Sequence, residues 1–465
     1  MKYFSTRNNQ LRKTFNDVLF QGLSKDGGLF LPVKWPNIDI NTLRDKTYEE
    51  VALHIINPFL GDEISEENLY EIIHLTYKKF THSKIAPLVT IDENKHILEL
   101  FYGPTLSFKD YALQFLGNLF SHFVKNQNNN KNITIVGATS GDTGSAAIDA
   151  FKCKENISVF ILHPHNKISE VQRRQMTTVL DKNIFNIAVE GSFDDCQKIV
   201  KELFTDNELQ DKTSLTAINS INWARLMVQA VYYFWAYIQL KEELVSFVVP
   251  SGNFGNIFSA HVAQKMGLPI KNLHVVTNQN DILNQIIQFG KMKTNRVLQT
   301  YSPSMDIQIS SNFERLLFDY YGRDGKAVAG VLEDFRQNQT VNFGHECWQK
   351  MRKIFEGYSV SNSEINSAIA NVYKTTGELL DPHSIIGVVG GHKGHTNPAN
   401  IMVALATAHP AKFPASVAEA TGITPNLPTH LADLFEREER FDVLPNDIDQ
   451  IRDYIVNTLE KCNTR

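Results

Sequence analysis

From Ile133 to about Ile286 short apolar, mostly β-branched runs alternate with segments whose apolar positions recur at helical spacing. Ile133–Gly137, Ile157–Leu162, Ile184–Val189, Val245–Val249 and Leu273–Val276 read as buried strands. Gly144–Phe151, Ser169–Leu180, Phe193–Phe204 and Asn256–Met266 read as the helices between them. This alternation predicts a mostly parallel sheet covered on both faces. Right-handed crossovers then gather the strand-to-helix loops on one edge, where ligands of such sheets bind. The first ninety residues mix short helical patterns, Thr47–Asn57 and Ser65–Phe80, with loops. Phe313 to about Lys374 is charged, helical in period and poor in strand signals. Asp447–Cys462 predicts an amphipathic helix. The Asn-rich stretch Asn126–Asn132 reads as an exposed loop. The most apolar segment, Met227–Leu240, is broken by Gln229 and Gln239; it is short for a membrane span and predicts a buried helix.

Composition narrows this picture. The chain has 465 residues, 42% hydrophobic and 21% charged, too long for one ordinary core and too apolar for disorder. A net charge of -5 without a basic block offers no footprint for nucleic acid, so an anionic ligand must be met by a local site. Cys153, Cys196, Cys347 and Cys462 lie far apart with no CxxC pair, which argues against a zinc knuckle or disulfide framework and for a reducing compartment. The N-terminal residues carry no signal-peptide pattern, and a cytoplasmic protein is expected.

Three segments carry chemistry. Val136–Ser145, with Thr139, Ser140, Gly141, Asp142 and Thr143 at its turn, follows a strand and opens a helix, where unpaired amides and the helix dipole suit a carboxylate or phosphate. It lacks the Gly-Lys-Ser/Thr ending of a Walker loop, the G-x-G-x-x-G fingerprint and the flanking glycines of a nucleophile elbow. Val249–Asn256 is a second loop of this kind, with Gly252, Asn253, Phe254, Gly255 and Asn256 able to wrap an anion. Either could be a plain turn, but both would open on the same sheet edge. The third, Gly103–Asp110, sets Lys109 at a helix start beside Phe108 and Tyr111. Such a lysine is ordinarily solvated over its packed stem; an apolar setting would instead lower its pKa and free its amine for attack on an aldehyde.

Together, GPTLSFKD, GATSGDTGSAA and SGNFGN resemble the threonine synthase family, fold-type-II pyridoxal-phosphate enzymes. The MKYFSTR start, the run Ser220–Arg225 and the run Thr407–Phe413 are similar to the same family, so the resemblance spans most of the chain. It implies mostly parallel α/β sheets flanked by helices, with an added N-terminal domain over 1–92. It also implies a large cofactor domain over 93–132 and 215–465, with a helical insertion at about 313–374, and a small mobile domain over 133–214. The resemblance makes Lys109 the lysine that holds pyridoxal 5'-phosphate as an imine, Gly252–Asn256 the loop for the cofactor phosphate, and Thr407 a hydroxyl facing the pyridine nitrogen. It makes Thr139–Thr143 the grip on the substrate α-carboxylate. The implied reaction turns O-phospho-L-homoserine and water into L-threonine and phosphate; a phospholyase releasing a keto acid, ammonia and phosphate is the alternative. For the substrate phosphate, Arg225 is the first candidate, with Asn219, Ser220 and Asn222 as neutral donors, and Lys167 is a second candidate. A monomer or homodimer without membrane or nucleic-acid partners is expected. Gly390–His395 reads as polar loop residues rather than a metal site.

Overall fold

The computed structural model describes residues 1–126, 132–217, 220–240, 244–395 and 397–463. They form two compact units, one of Met1–Ala112 with Ser220–Pro425, the other of Leu113–Asn219 with Asn426–Arg465. Residues 127–131, most of the Asn-rich stretch, and Asn219 lie outside the described residues.

The first unit is built on a six-stranded sheet ordered Phe355–Ser359, Ile270–Thr277, Val245–Pro250, Ile401–Ala406, Lys95–Glu99 and Leu88–Asp92. Every neighbouring pair is parallel except the last, a hairpin. Val245–Pro250 is buried at every position, as its unbroken apolar run requires of a strand covered on both faces. One face packs against the helices Asn362–Thr376 and Ser384–Gly394 through Ile365, Ile369, Ile385 and Ile386 onto Val248, Ala404 and Ile97. The aromatic run becomes the helix Trp223–Leu240, buried along almost its whole length. The N-terminal helices Tyr48–Leu60 and Glu66–Tyr77 start at Thr47 and Ser65; Thr47 and Glu50 make a reciprocal capping box.

Two local expectations change. The region 313–374 does hold four helices, but it also supplies Phe355–Ser359, which closes one edge of the main sheet against Ile270–Thr277. The strand is short and interrupted by Gly357, so its pattern is weak in sequence; pairing and the burial of Phe355 decide it. Gly390–His395 is not a loop down to Gly394. It is the last turns of a helix laid on the sheet, with Gly390 against Val276 and Gly394 against the His274 ring. Glycine there admits close approach. Among the described residues no cluster of metal-ligating side chains occurs.

The second unit is an all-parallel five-stranded sheet ordered Asp442–Pro445, Ile184–Glu190, Ile157–Pro164, Ile133–Ala138 and Ser214–Thr216. The C-terminal segment belongs here because Asp442–Pro445 pairs with Ile187–Glu190, and Ile451, Ile455 and Leu459 of the helix Ile448–Asn463 join the core of Val136, Phe160, Leu162 and Ile199. No helix of the described residues is long and apolar enough to cross a membrane.

Candidate active site

Two of the three segments singled out above, and Thr407, follow three neighbouring strands of the first unit; the third, Val136–Ser145, follows Ile133–Ala138 of the other sheet, so the two glycine-bearing turns do not share one sheet edge as expected. Lys95–Glu99 leads to the Lys109 loop, Ile401–Ala406 to Thr407, and Val245–Pro250 to Gly252–Asn256. The strands run parallel, so their carboxyl ends share one edge, the ligand-binding edge of such sheets.

Lys109 begins the helix Lys109–Asn126 and is half-buried, its Nζ 4.9 Å from the centre of the Phe108 ring. The segment before it is laced to the segment after Ala406. Phe108 N donates to Thr407 O at 2.9 Å, His409 N donates to Leu106 O at 3.0 Å, and Ser107 bridges Ala408. Thr407 is buried, and its amide donates to the Ser384 hydroxyl at 2.8 Å.

Gly252–Asn256 has its carbonyls tied back. Ser310 Oγ donates to Gly252 O at 2.6 Å, and the backbone and side-chain amides of Asn312 donate to Asn253 O, both at 3.1 Å. That turns the chain's amides the other way, at the start of the helix Gly255–Lys265. The left-handed residue is Phe254, with φ 62°, rather than a glycine. Gly252 instead makes room for the protein's own backbone: a Cβ there would lie 3.1 Å from Met305 Cα. Asn256 is buried with Oδ1 accepting from Tyr232 and Tyr233 hydroxyls at 2.5 and 2.8 Å. Its Nδ2 has no partner among the described residues. A buried amide donor beside helix-start amides fits a phosphate, and the cradle suits that end of pyridoxal phosphate.

Ser220, Asn222 and Arg225 lie at the start of the helix Trp223–Leu240. Ser220 O accepts from Asn312 Nδ2 at 3.1 Å, which joins this turn to the 252–256 loop through one side chain. Asn222 is committed: Oδ1 caps Ala224 N at 3.0 Å and Nδ2 donates to Leu19 O at 3.0 Å. Arg225 is 4% exposed, and its Nε and Nη1 have no partner among the described residues. Burial pulls its pKa down to about 10.

In the second unit the turn Thr139–Thr143 opens the helix Asp142–Phe151. Thr139 is turned inward, its Oγ1 accepting from Gly141 N at 3.0 Å and Gly144 N at 2.8 Å. Asp142 is buried, with Oδ1 accepting from Gln172 Nε2 at 2.8 Å. Gly141, at φ 132°, lies where a Cβ would strike that same Gln172 amide. Ser140 and Thr143 stay half-buried, and the helix starts without a side-chain cap on Gly141, so its first amides are what an anion would meet. Lys167 is exposed and donates to Gly191 O at 3.0 Å. Arg173 and Arg174 are held by Glu439 and Glu170.

The supporting residues Tyr232, Tyr233, Ser310, Asn312, Ser384 and Gln172 escaped the sequence reading. Each holds a site residue from another element, and no local pattern marks such a partner.

Profiles described as the threonine synthase N terminus, the pyridoxal-phosphate dependent enzymes and the threonine synthase C-terminal region match residues 2–77, 91–335 and 385–455. A threonine synthase of Pseudomonas aeruginosa is 47% identical over 98% of this chain and 98% of its own. The crystal structure of a PLP-bound threonine synthase from Brucella melitensis superposes with a TM-score of 0.95 at 45% identity, covering 98% of this chain and 99% of that one. The yeast threonine synthase structure gives a TM-score of 0.94 at 37% identity over 99% of both chains. With its cofactor-type fold matched from end to end at this identity, the chain belongs to the threonine synthase family of pyridoxal-phosphate-dependent enzymes.

Proposed function

We propose a division of labour for the chain's threonine synthase chemistry, O-phospho-L-homoserine and water going to L-threonine and phosphate. The observation that carries it is the convergence of Lys109, Thr407 and Gly252–Asn256 at the ends of three adjacent parallel strands. Lys109 holds the cofactor aldehyde, Gly252–Asn256 holds its phosphate, and Thr407 faces its ring nitrogen. Pyridoxal phosphate, when bound, supplies an electron sink for the pair left as a proton leaves the carbon beside the substrate amine.

The chain's own residues do the rest. Lys109 Nζ, when not bonded to the cofactor, would be the base that moves protons at the reacting carbons. Arg225 and Ser220, with Asn219, receive the substrate phosphate; Lys167, the second candidate, is exposed and donates to Gly191 O. Asn222 acts by fixing the helix start under Arg225, its own polar atoms being occupied. Ser140 and Thr143, with the amides of Asp142 and Thr143, take the α-carboxylate; Thr139 and Asp142 hold that turn in shape. A cytoplasmic monomer or homodimer without nucleic-acid partners belongs to the same reading. Full-length identity to threonine synthases favours this activity over the phospholyase.

The test is the visible absorbance of the purified protein. Wild type is expected to show the lysine–cofactor band and to form threonine and phosphate in equal amounts. Lys109→Ala is expected to lack both the band and turnover. An unchanged band in that variant sinks the lysine assignment, and keto acid without threonine sinks the reaction.

A further inference from the structure

Lys412 is the one lysine of the Thr407–Phe413 run, and it is 0% exposed. Its Nζ donates to Thr105 O at 2.7 Å. The other two polar groups of Thr105 go to a buried charge of opposite sign. Thr105 N and Oγ1 donate to Asp110 Oδ2 and Oδ1 at 2.8 and 2.7 Å, and Asp110 is also 0% exposed. One threonine is therefore gripped at every polar atom, by a cation at one end and an anion at the other.

The consequence falls on the next residues. Leu106 stands in the left-handed region at φ 64°, where a side chain of its bulk is strained. Its carbonyl accepts from His409 N, three residues before Lys412, and Phe108 N donates to Thr407 O. The strained turn is thus pinned before and after Leu106, and Lys109 lies three residues on, next to the pinned Phe108. Buried charges are costly to place, and a charge-assisted bond to a backbone carbonyl is a firm constraint because the ammonium has no water to exchange it for.

We propose that Lys412 is a positioning residue, which with Asp110 clamps Thr105 and so sets the Lys109 amine relative to Thr407. The proposal rests on the reading of Lys109 as the cofactor-bearing lysine. It assigns Lys412 no contact with substrate or cofactor. Its effect passes through the backbone of 105–109.

The experiment uses full-length Lys412→Met, which keeps length and loses charge, and Thr105→Val, which loses only the hydroxyl bond to Asp110. Apoprotein is mixed with pyridoxal phosphate, and the growth of the lysine–cofactor band is followed across a pH series, with thermal melting alongside. Lys412→Met is expected to form the band at least tenfold more slowly, to shift the pH midpoint of its absorbance, and to lose kcat tenfold with KM within threefold. Thr105→Val is expected to change the same quantities in the same direction by a smaller factor. A lower melting temperature with wild-type band kinetics and pH midpoint would mean a merely structural cation and would overturn the proposal. Should Lys412→Met fail to fold, Thr105→Val decides: unchanged kinetics and midpoint reject the clamp. Failure of the Lys109 reading is separately visible, as a band that persists in Lys109→Ala.

Discussion

Replacing Arg225 by methionine keeps most of the buried stem and removes the guanidinium. That group is 4% exposed with Nε and Nη1 unpartnered among the described residues, and desolvation brings its pKa to about 10. Against an ordinary arginine, this displacement corresponds to about 3 kcal/mol of charge stabilisation lost on burial. Arg225→Met should therefore leave the ligand-free protein as stable as wild type or up to ~3 kcal/mol more stable, against the usual direction for a buried substitution. The same group should repay that cost when a phosphate arrives. Two charge-assisted bonds of about 1.5–3 kcal/mol each translate into a roughly 10²- to 10⁴-fold loss of kcat/KM. The assay pairs thermal melting, with and without inorganic phosphate, with a phosphate-release rate. Phosphate should raise the wild-type melting temperature and leave the variant's unmoved. A variant destabilised by more than about 1 kcal/mol that still releases phosphate within threefold of wild type would refute the reasoning.

Two pH dependences follow from other buried groups. His163 is 1% exposed, and burial pulls its pKa down to about 4, against a smaller opposing pull from the Pro164 backbone. The unfolded chain takes up that proton at a higher pH, near 6.5, so this stability is complete above about 6.5 and lost as pH falls toward 4, roughly 3 kcal/mol in all. His163→Phe, beside Phe441, should flatten the acid limb of a melting-temperature profile; an unchanged limb would count against it. Glu99 is the opposite case: burial raises its carboxyl to about 7, partly offset by the Tyr102 hydroxyl at 2.8 Å. Its folded form prefers the proton, so stability is lost as pH rises from about 4.5 to 7. Glu99→Gln should therefore be more stable than wild type at pH 8, by at most about 3 kcal/mol, and so melt higher there, and melt equally at pH 5. Equal melting at both values would reject it.

Much of the fold was legible because its strands are buried on both faces. Such strands must be continuous apolar runs, and Ile157–Pro164 and Val245–Pro250 announce themselves that way. Glycine and hydroxyl residues after them marked the turns, since few other side chains serve where a strand meets a helix start. Phe355–Ser359 was not legible, because an edge strand of five residues draws its identity from the neighbour it pairs with. Gly390–His395 misled for a related reason: glycines that suggest a loop were there to let a helix touch Val276 and His274.

The sequence by itself offered Lys109 and the two glycine-bearing turns as candidates, because turn geometry depends on the neighbouring residues and reactivity begins with side-chain type; Thr407 and Arg225 were marked only by the family resemblance. Only the tertiary structure decided what each was left free to do. It set Asn222 as a helix cap and Thr139 on its own loop, left Arg225 buried with two nitrogens unpartnered among the described residues, and tied Thr105 to Asp110 and Lys412. Those outcomes depend on hydrogen-bond partners and water exclusion set by residues up to hundreds of positions away, Lys412 on Thr105 among them, and spacing along the chain does not encode such distances.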